Sequence, residues 1–169
     1  MDINNEKRAS FALLSIGSNI GDKRKNIETA LDYLTISGAI DDIKVSSYYE
    51  TEPVGFAGQD WFLNVAVSGY TNMQLYQLMQ SCKSIEYLIG RILRKRWHSR
   101  EIDIDILLYG NQQFKESKLT VPHPRMHERR FVLAPAAEIA GSRIHPGFGL
   151  SLNKLLELCN DSSQVKMAV

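Results

Sequence analysis

At 169 residues, with 44% hydrophobic side chains, the chain has the size and apolar content of one domain with its own core. Its net charge of +1 argues against a dedicated nucleic-acid binder, and no apolar run approaches the length of a membrane span. The chain does not open with the charged, apolar, small-residue order of a secretory signal, so a cytoplasmic protein is expected. Cys82 and Cys159 fall on apolar helical stripes without metal-ligand spacing, which favours buried reduced thiols.

In chain order, residues 1–8 are polar and aperiodic, a flexible lead-in to a single domain expected over 9–160. Residues 11–16 read as a buried strand, and Gly17-Ser18-Asn19-Ile20-Gly21-Asp22 as a turn and helix cap rather than a phosphate cradle. Ile27, Ala30, Leu31 and Leu34 then give one apolar helix face. Ile43, Val45, Ser47 and Tyr49 alternate along a second strand, and residues 61–70 form a third after a loop with Pro53, Gly55 and Gly58. Leu75, Leu78, Met79, Cys82, Ile85 and Ile89 predict a longer helix ending at Gly90, and residues 102–109 a β-branched strand. The order strand, helix, strand, strand, helix, strand predicts an α+β, ferredoxin-like βαββαβ core with a mainly antiparallel sheet. Additional C-terminal helices are expected near Pro135 and after Ser151, and residues 161–169 are expected to fray.

Chemistry concentrates around Ile102-Asp103-Ile104-Asp105-Ile106. The strand period of two sends both carboxylates to one face, where their repulsion is relieved by a hard divalent cation such as Mg²⁺; a polar outer strand face is the simpler alternative. Directly before it, Arg91, Arg94, Lys95, Arg96 and Arg100 flank Trp97 with no acidic residue between Arg91 and Arg100. Cations beside metal ligands suit phosphoryl chemistry, although such a run also suits a solvated loop. The chain has no G-x-x-x-x-G-K-[ST] motif, so a P-loop is excluded. Phe62 and Asn64 share a strand face and together suit a flat heterocycle, or Phe62 serves the core. His123 and His127 lie four apart, but Pro124 and the lack of a further ligand argue against zinc.

Together these residues resemble the 6-hydroxymethyl-7,8-dihydropterin pyrophosphokinase family over about residues 12–141. The most specific stretch is Arg96-Trp97-His98-Ser99-Arg100-Glu101-Ile102-Asp103-Ile104-Asp105, with His98 where the family has Gly or Ala. Gly17-Ser18-Asn19, Thr51-Glu52-Pro53-Val54-Gly55, Phe62-Leu63-Asn64, Gly90-Arg91 and Thr120-Val121-Pro122-His123, then Arg129 and Phe131, match in order. The resemblance implies that Asp103 and Asp105 bind two Mg²⁺ ions bridged by ATP, and that Phe62 and Phe131 sandwich the pterin beside Asn64, Thr51 and Val54. It assigns Glu86, Arg91, Trp97, Arg100, Ile106, Lys118, Thr120, His123 and Arg129 to ATP. Lys118 stands where the family commonly has Arg, a point charge in place of a planar fork. The implied reaction gives AMP and the pterin diphosphate, with Arg91, Arg100, Asp103 and Asp105 as its catalytic residues acting on small molecules; the sequence leaves the oligomeric state open, and a monomer is the default expectation. The rivals are an RNA-binding ferredoxin-like module and another Mg²⁺-dependent phosphoryl or nucleotidyl transferase.

Overall fold

The computed structural model describes residues 9–53, 58, 60–92 and 99–168. Its first elements are β1 (Ser10–Ser18), α1 (Lys23–Ile36), β2 (Asp41–Val45), β3 (Tyr49–Thr51), β4 (Phe62–Thr71), α2 (Leu75–Leu88) and β5 (Asp103–Tyr109). There follow β6 (Phe114–Glu116), β7 (Leu119–Val121), α3 (Arg130–Ala140), β8 (Ile144–His145), β9 (Leu150–Ser151), α4 (Leu152–Leu158) and β10 (Val165–Met167). Asp22 caps α1 by accepting from the Lys25 N–H at 3.1 Å, and Ser151 caps α4 through the Lys154 N–H at 3.2 Å. Gly90, with φ at +98°, follows α2 in a conformation that a side chain would strain.

The main sheet runs β10-β3-β4-β1-β5, with β2 also on β4, and its pairings are antiparallel. Alternation along β1 divides the interior in two. Leu14 and Ile16 pack with Val65, Val67, Ile104 and the apolar stripes of α1 and α2, whereas Leu13 packs with Ala66, Leu107, Leu108 and the inner faces of α3 and α4. A bulge opposite Leu13/Leu14 turns both Leu107 and Leu108 into this second core. Cys82 is buried and Cys159 half-buried, both as free thiols.

The strand expected to run through Ile43 to Tyr49 is broken into β2 and β3, both paired with β4. The break falls at Ser46: its hydroxyl accepts from the Ala66 N–H at 2.9 Å and donates to the Ser47 carbonyl at 2.7 Å, taking one ladder bond while the Ser46 N–H keeps the other, to the Ala66 carbonyl at 3.0 Å. The fraying expected from residue 161 is likewise not what the structure has, since Val165, Lys166 and Met167 pair with Thr51, Glu50 and Tyr49. Across the sheet, Glu138 of α3 accepts from the Ser47 N–H and hydroxyl, both at 2.9 Å, and from the Tyr49 hydroxyl at 2.8 Å, fixing α3 to the start of β3.

One close approach in β4 has a testable consequence. A Cβ on Gly69 would overlap the Asp41 carbonyl oxygen and the Ile40 side chain. Gly69→Ala is therefore expected to destabilise the fold by about 1–3 kcal/mol. The measurement is a urea titration, in which the midpoint falls and the slope is unchanged.

Candidate active site

Asp103 and Asp105 lie on the β5 face opposite Ile104 and Ile106, and β1 contributes their cross-strand partners, Gly17 and Ser15. The two carboxylates are treated differently. Asp103 is held by Arg91, whose Nη1 lies 2.8 Å from Oδ1, and by Arg100 on Oδ2. No hydrogen bond or ion pair from the described residues reaches the Asp105 carboxylate. Burial first, then repulsion from Asp103, pushes the Asp105 pKa up to about 6. It is a half-buried oxygen donor lining the neighbouring cleft.

Behind this pair sits Glu86, 3% exposed on α2. Its Oε1 accepts from the Ile104 N–H at 2.8 Å and pairs with Lys83 at 2.8 Å, while Oε2 pairs with Arg91. A buried carboxylate is stable only when its lone pairs are occupied in this way. Glu86 thus fixes β5 between the two aspartates and aims Arg91 at Asp103. Burial works against the Arg91 charge, yet Asp103 and Glu86 together carry its pKa upward.

A cleft of about 260 Å³ opens between α2 and the β6–β7 hairpin, lined by Met79, Lys83, Asp105, Ile106, Thr120 and His123, with Lys118 at its edge. This hairpin had no signature in the sequence reading, and its pairing of Phe114 with Val121 is what brings Lys118 and Thr120 to the cleft. His123 is anchored by its N–H on the Leu107 carbonyl at 2.9 Å. Burial, then Arg129, holds its pKa down at about 4, so the imidazole is neutral at pH 7. Its Nδ1 accepts from the Arg125 N–H at 3.2 Å, leaving Nε2 as the donor.

On the other side of Gly17 is a polar pocket. Asn64, 3% exposed in β4, faces Gly17 across the ladder and donates through Nδ2 to the Thr51 hydroxyl at 2.6 Å. Phe62 lies two residues back on the same face. A Cβ on Gly17 would overlap Asn64 Oδ1 and come within 3.5 Å of its Cγ and 3.8 Å of the Phe62 ring. Glycine there leaves the room over β1 that the Asn64 amide occupies. Gly17→Ala is expected to raise the KM for an acceptor bound by Asn64 by about 10²-fold, with a smaller change in the nucleotide KM. Phe131 and Arg129 stand at the start of α3, the guanidinium 5.7 Å from the ring centroid, and Phe131 packs on the core that Ala66 joins, the same sheet face as Asn64.

Of the predicted site residues, Glu86, Arg91, Arg100 and Asp103 form one ion-pair network, Ile106, Lys118, Thr120 and His123 join Asp105 in the cleft, and Thr51 and Asn64 are bonded. Trp97, Val54, Arg94 and His98 lie outside the described residues. Two contributors escaped the sequence reading. Lys83, one helical turn before Glu86, lines the cleft. Asn19 is 1% exposed and bonds the Arg100 N–H at 2.7 Å, the Ser99 hydroxyl at 3.3 Å and the Asp60 carbonyl at 3.4 Å, joining the two segments that flank the site. Its signals were an amide immediately after a buried strand and its place in the Gly17-Ser18-Asn19 match, neither of which assigned it a role.

The profile of the 7,8-dihydro-6-hydroxymethylpterin-pyrophosphokinase family matches residues 13–141. The chain belongs to this family. Among named relatives, the 2-amino-4-hydroxy-6-hydroxymethyldihydropteridine pyrophosphokinase of Bacillus subtilis is 44% identical over 77% of this chain and 78% of its own length. That of Methylorubrum extorquens is 43% identical over 76% and 82%. A solved HPPK-DHPS from Plasmodium falciparum superposes with a TM-score of 0.71 at 14% identity, covering 89% of this chain and 42% of that one, so it speaks for the fold alone. The chain spans less than half the length of such solved chains. As a member of the family it is a transferase that moves pyrophosphate from ATP to hydroxymethyldihydropterin in folate biosynthesis, and the RNA-binding alternative is not favoured. No helix among the described residues is long and apolar enough to cross a membrane.

Proposed function

We propose that Asp103 and Asp105 hold two Mg²⁺ ions over which ATP, seated in the cleft of Ile106, Lys118, Thr120 and His123, meets a pterin held by Asn64, Thr51, Phe62 and Phe131. The observation that supports this most is the Asp105 carboxylate, which lines the cleft on the same strand face as Asp103 and which no hydrogen bond or ion pair from the described residues reaches. The residues fit the ions: both donors are carboxylate oxygens, the hard ligands such ions take, and no hydrogen bond or ion pair from the described residues reaches that of Asp105. Mg²⁺ suits a site that supplies one or two carboxylates and leaves the other positions to phosphates and water. When bound, the ions would offset the negative charge of the phosphates.

The remaining work falls to the chain. Arg91 and Arg100, already at Asp103, would turn to the charge developing on the transferred group as the hydroxymethyl oxygen bonds the β-phosphorus and the bond to the AMP oxygen breaks. Asn64 would read the pterin edge and Phe62 and Phe131 its faces. Arg129 and neutral His123 would contact phosphate and ribose as cation and neutral donor. Trp97 and Val54 keep the ATP and pterin assignments that the resemblance gives them. We further infer a ferredoxin-like core, supported by the order β1-α1-β2-β4-α2-β5 with strands arranged β2-β4-β1-β5. The reading is of one pyrophosphokinase domain working as a cytoplasmic monomer on small molecules, without a nucleic-acid partner.

The test is to incubate the protein with ATP and Mg²⁺, with and without 6-hydroxymethyl-7,8-dihydropterin, and separate the nucleotides. AMP that forms only with the pterin is expected. ADP with a monophosphorylated acceptor would assign a different phosphoryl transferase, and no turnover by folded protein would sink the reading.

A further inference from the structure

Beyond the residues that the family profile matches, the chain continues for 28 more, and the last of them return to the site. Asp161 accepts through Oδ2 from the Arg130 N–H at 2.9 Å and through Oδ1 from the Ser163 N–H at 3.0 Å and hydroxyl at 2.7 Å. Arg130 is the first residue of α3, between Arg129 and Phe131, so Asp161 satisfies one of the N–H groups that a helix start leaves unpaired. Three residues later the chain reaches β3. The Glu52 N–H donates to the Gln164 carbonyl at 3.1 Å, and the Gln164 N–H to the Glu52 carboxylate at 3.2 Å. Val165 then pairs with Thr51, Lys166 with Glu50, and the Ala168 N–H donates to the Tyr48 carbonyl at 2.7 Å. The Lys166 ammonium lies 5.2 Å from the Trp61 ring centroid.

Three residues of β3 would form a poor strand on β4 alone, and they would be the sheet edge. With β10 added, β3 is an interior strand, and Thr51, the partner of Asn64, is held from both sides. The same eight residues reach from the α3 start, beside Phe131, to both ends of the connection between Glu52 and Trp61. Among the described residues, the hydrogen bonds of this segment go to β3, to Glu52 and to the start of α3, on the acceptor side of the site rather than on the cleft of Lys118, Thr120 and His123.

We propose that Asp161–Ala168 is a positioning strap for the acceptor pocket: by pairing with β3 and capping α3 it keeps Thr51, Asn64 and Phe131 in register, and so sets acceptor affinity without contributing to the chemistry. This rests on the reading of those three residues as the pterin pocket. The strap is tested in the full chain with Asp161→Ala, which removes the α3 contact, Ala168→Pro, which removes the N–H donated to Tyr48, and the pair combined. AMP formation is measured while pterin and ATP are varied in turn, alongside melting temperature.

The double variant is expected to raise the pterin KM by about tenfold, with the ATP KM and kcat within about twofold of the parent. The single variants move the same way by less, and they decide the matter if the double variant does not fold. An unchanged pterin KM, or a pterin KM, ATP KM and kcat that worsen together as stability falls, would overturn the strap while leaving the pyrophosphokinase reading in place. An unmodified chain that makes no pterin-dependent AMP would overturn that reading, and the strap with it.

Discussion

Asp103→Ala and Asp105→Ala are each expected to lower kcat/KM for pterin-dependent AMP formation by about 10³-fold or more, because each removes one of the two carboxylates proposed to hold the ions. Chromatography of AMP checks the loss, and circular dichroism shows that the fold remains. Asp105 also bears on stability when no metal is present. Asp105 holds its proton more tightly folded, with a pKa of about 6, than at the ordinary value of 3.8. The folded state therefore binds more protons between those values, and stability falls as pH rises through that window. Asp105→Asn removes a charge that the metal-free fold carries at a disadvantage. Its melting temperature at pH 7.5 without Mg²⁺ is expected to exceed that of the parent by about 5 °C, with the gap closing near pH 4 where both are neutral. Saturating Mg²⁺ and a non-hydrolysable ATP analogue should reverse the order, since only the parent gains from ligand binding. A variant no more stable than the parent at pH 7.5 would mean that Asp105 is already neutralised.

Much of this arrangement was legible because its elements are long and strictly periodic. Ile27 to Leu34 and Leu75 to Ile89 recur at helical spacing, and those positions became the buried stripes of α1 and α2. Alternation in β5 was enough to put Asp103 and Asp105 on one face away from Ile104 and Ile106. Failures came where a single polar group outvotes a pattern. Val45, Ser47 and Tyr49 alternate without interruption, and nothing in that spacing says that the Ser46 hydroxyl will take a ladder bond and divide the strand. The tail has too few apolar residues to declare a strand, and its order comes from partners more than a hundred residues away, Thr51 and Glu52. Glu86 interrupts an apolar stripe, which signals a buried charge in need of partners, but only the fold shows that they are Lys83, Arg91 and the Ile104 N–H. Asn19 is of the same kind: its role depends on residues 41 and 81 positions away.

Arg91→Ala and Arg100→Ala are expected to lower kcat by about 10²–10³-fold while changing the pterin dissociation constant by less than about threefold. The ground state explains the asymmetry. Both guanidiniums are bound to Asp103 before any substrate arrives, so their attraction to phosphate is offset at first by the contact they give up. As negative charge gathers on the transferred group the balance shifts, and an interaction worth little in the ground state becomes strong in the transition state, which is the condition for raising kcat. Arg91 should show the larger effect, because its loss also leaves the buried Glu86 with one fewer cation next to the Ile104 N–H. Arg91→Lys separates the two duties: an ammonium can stand where the single Nη1 meets both Glu86 and Asp103, but it offers a phosphate no planar fork. It should recover most of the lost stability and little of the lost rate, measured as melting temperature beside single-turnover AMP formation. Equal recovery of both would place Arg91 in the scaffold of β5 and leave Arg100 to act alone on the phosphate.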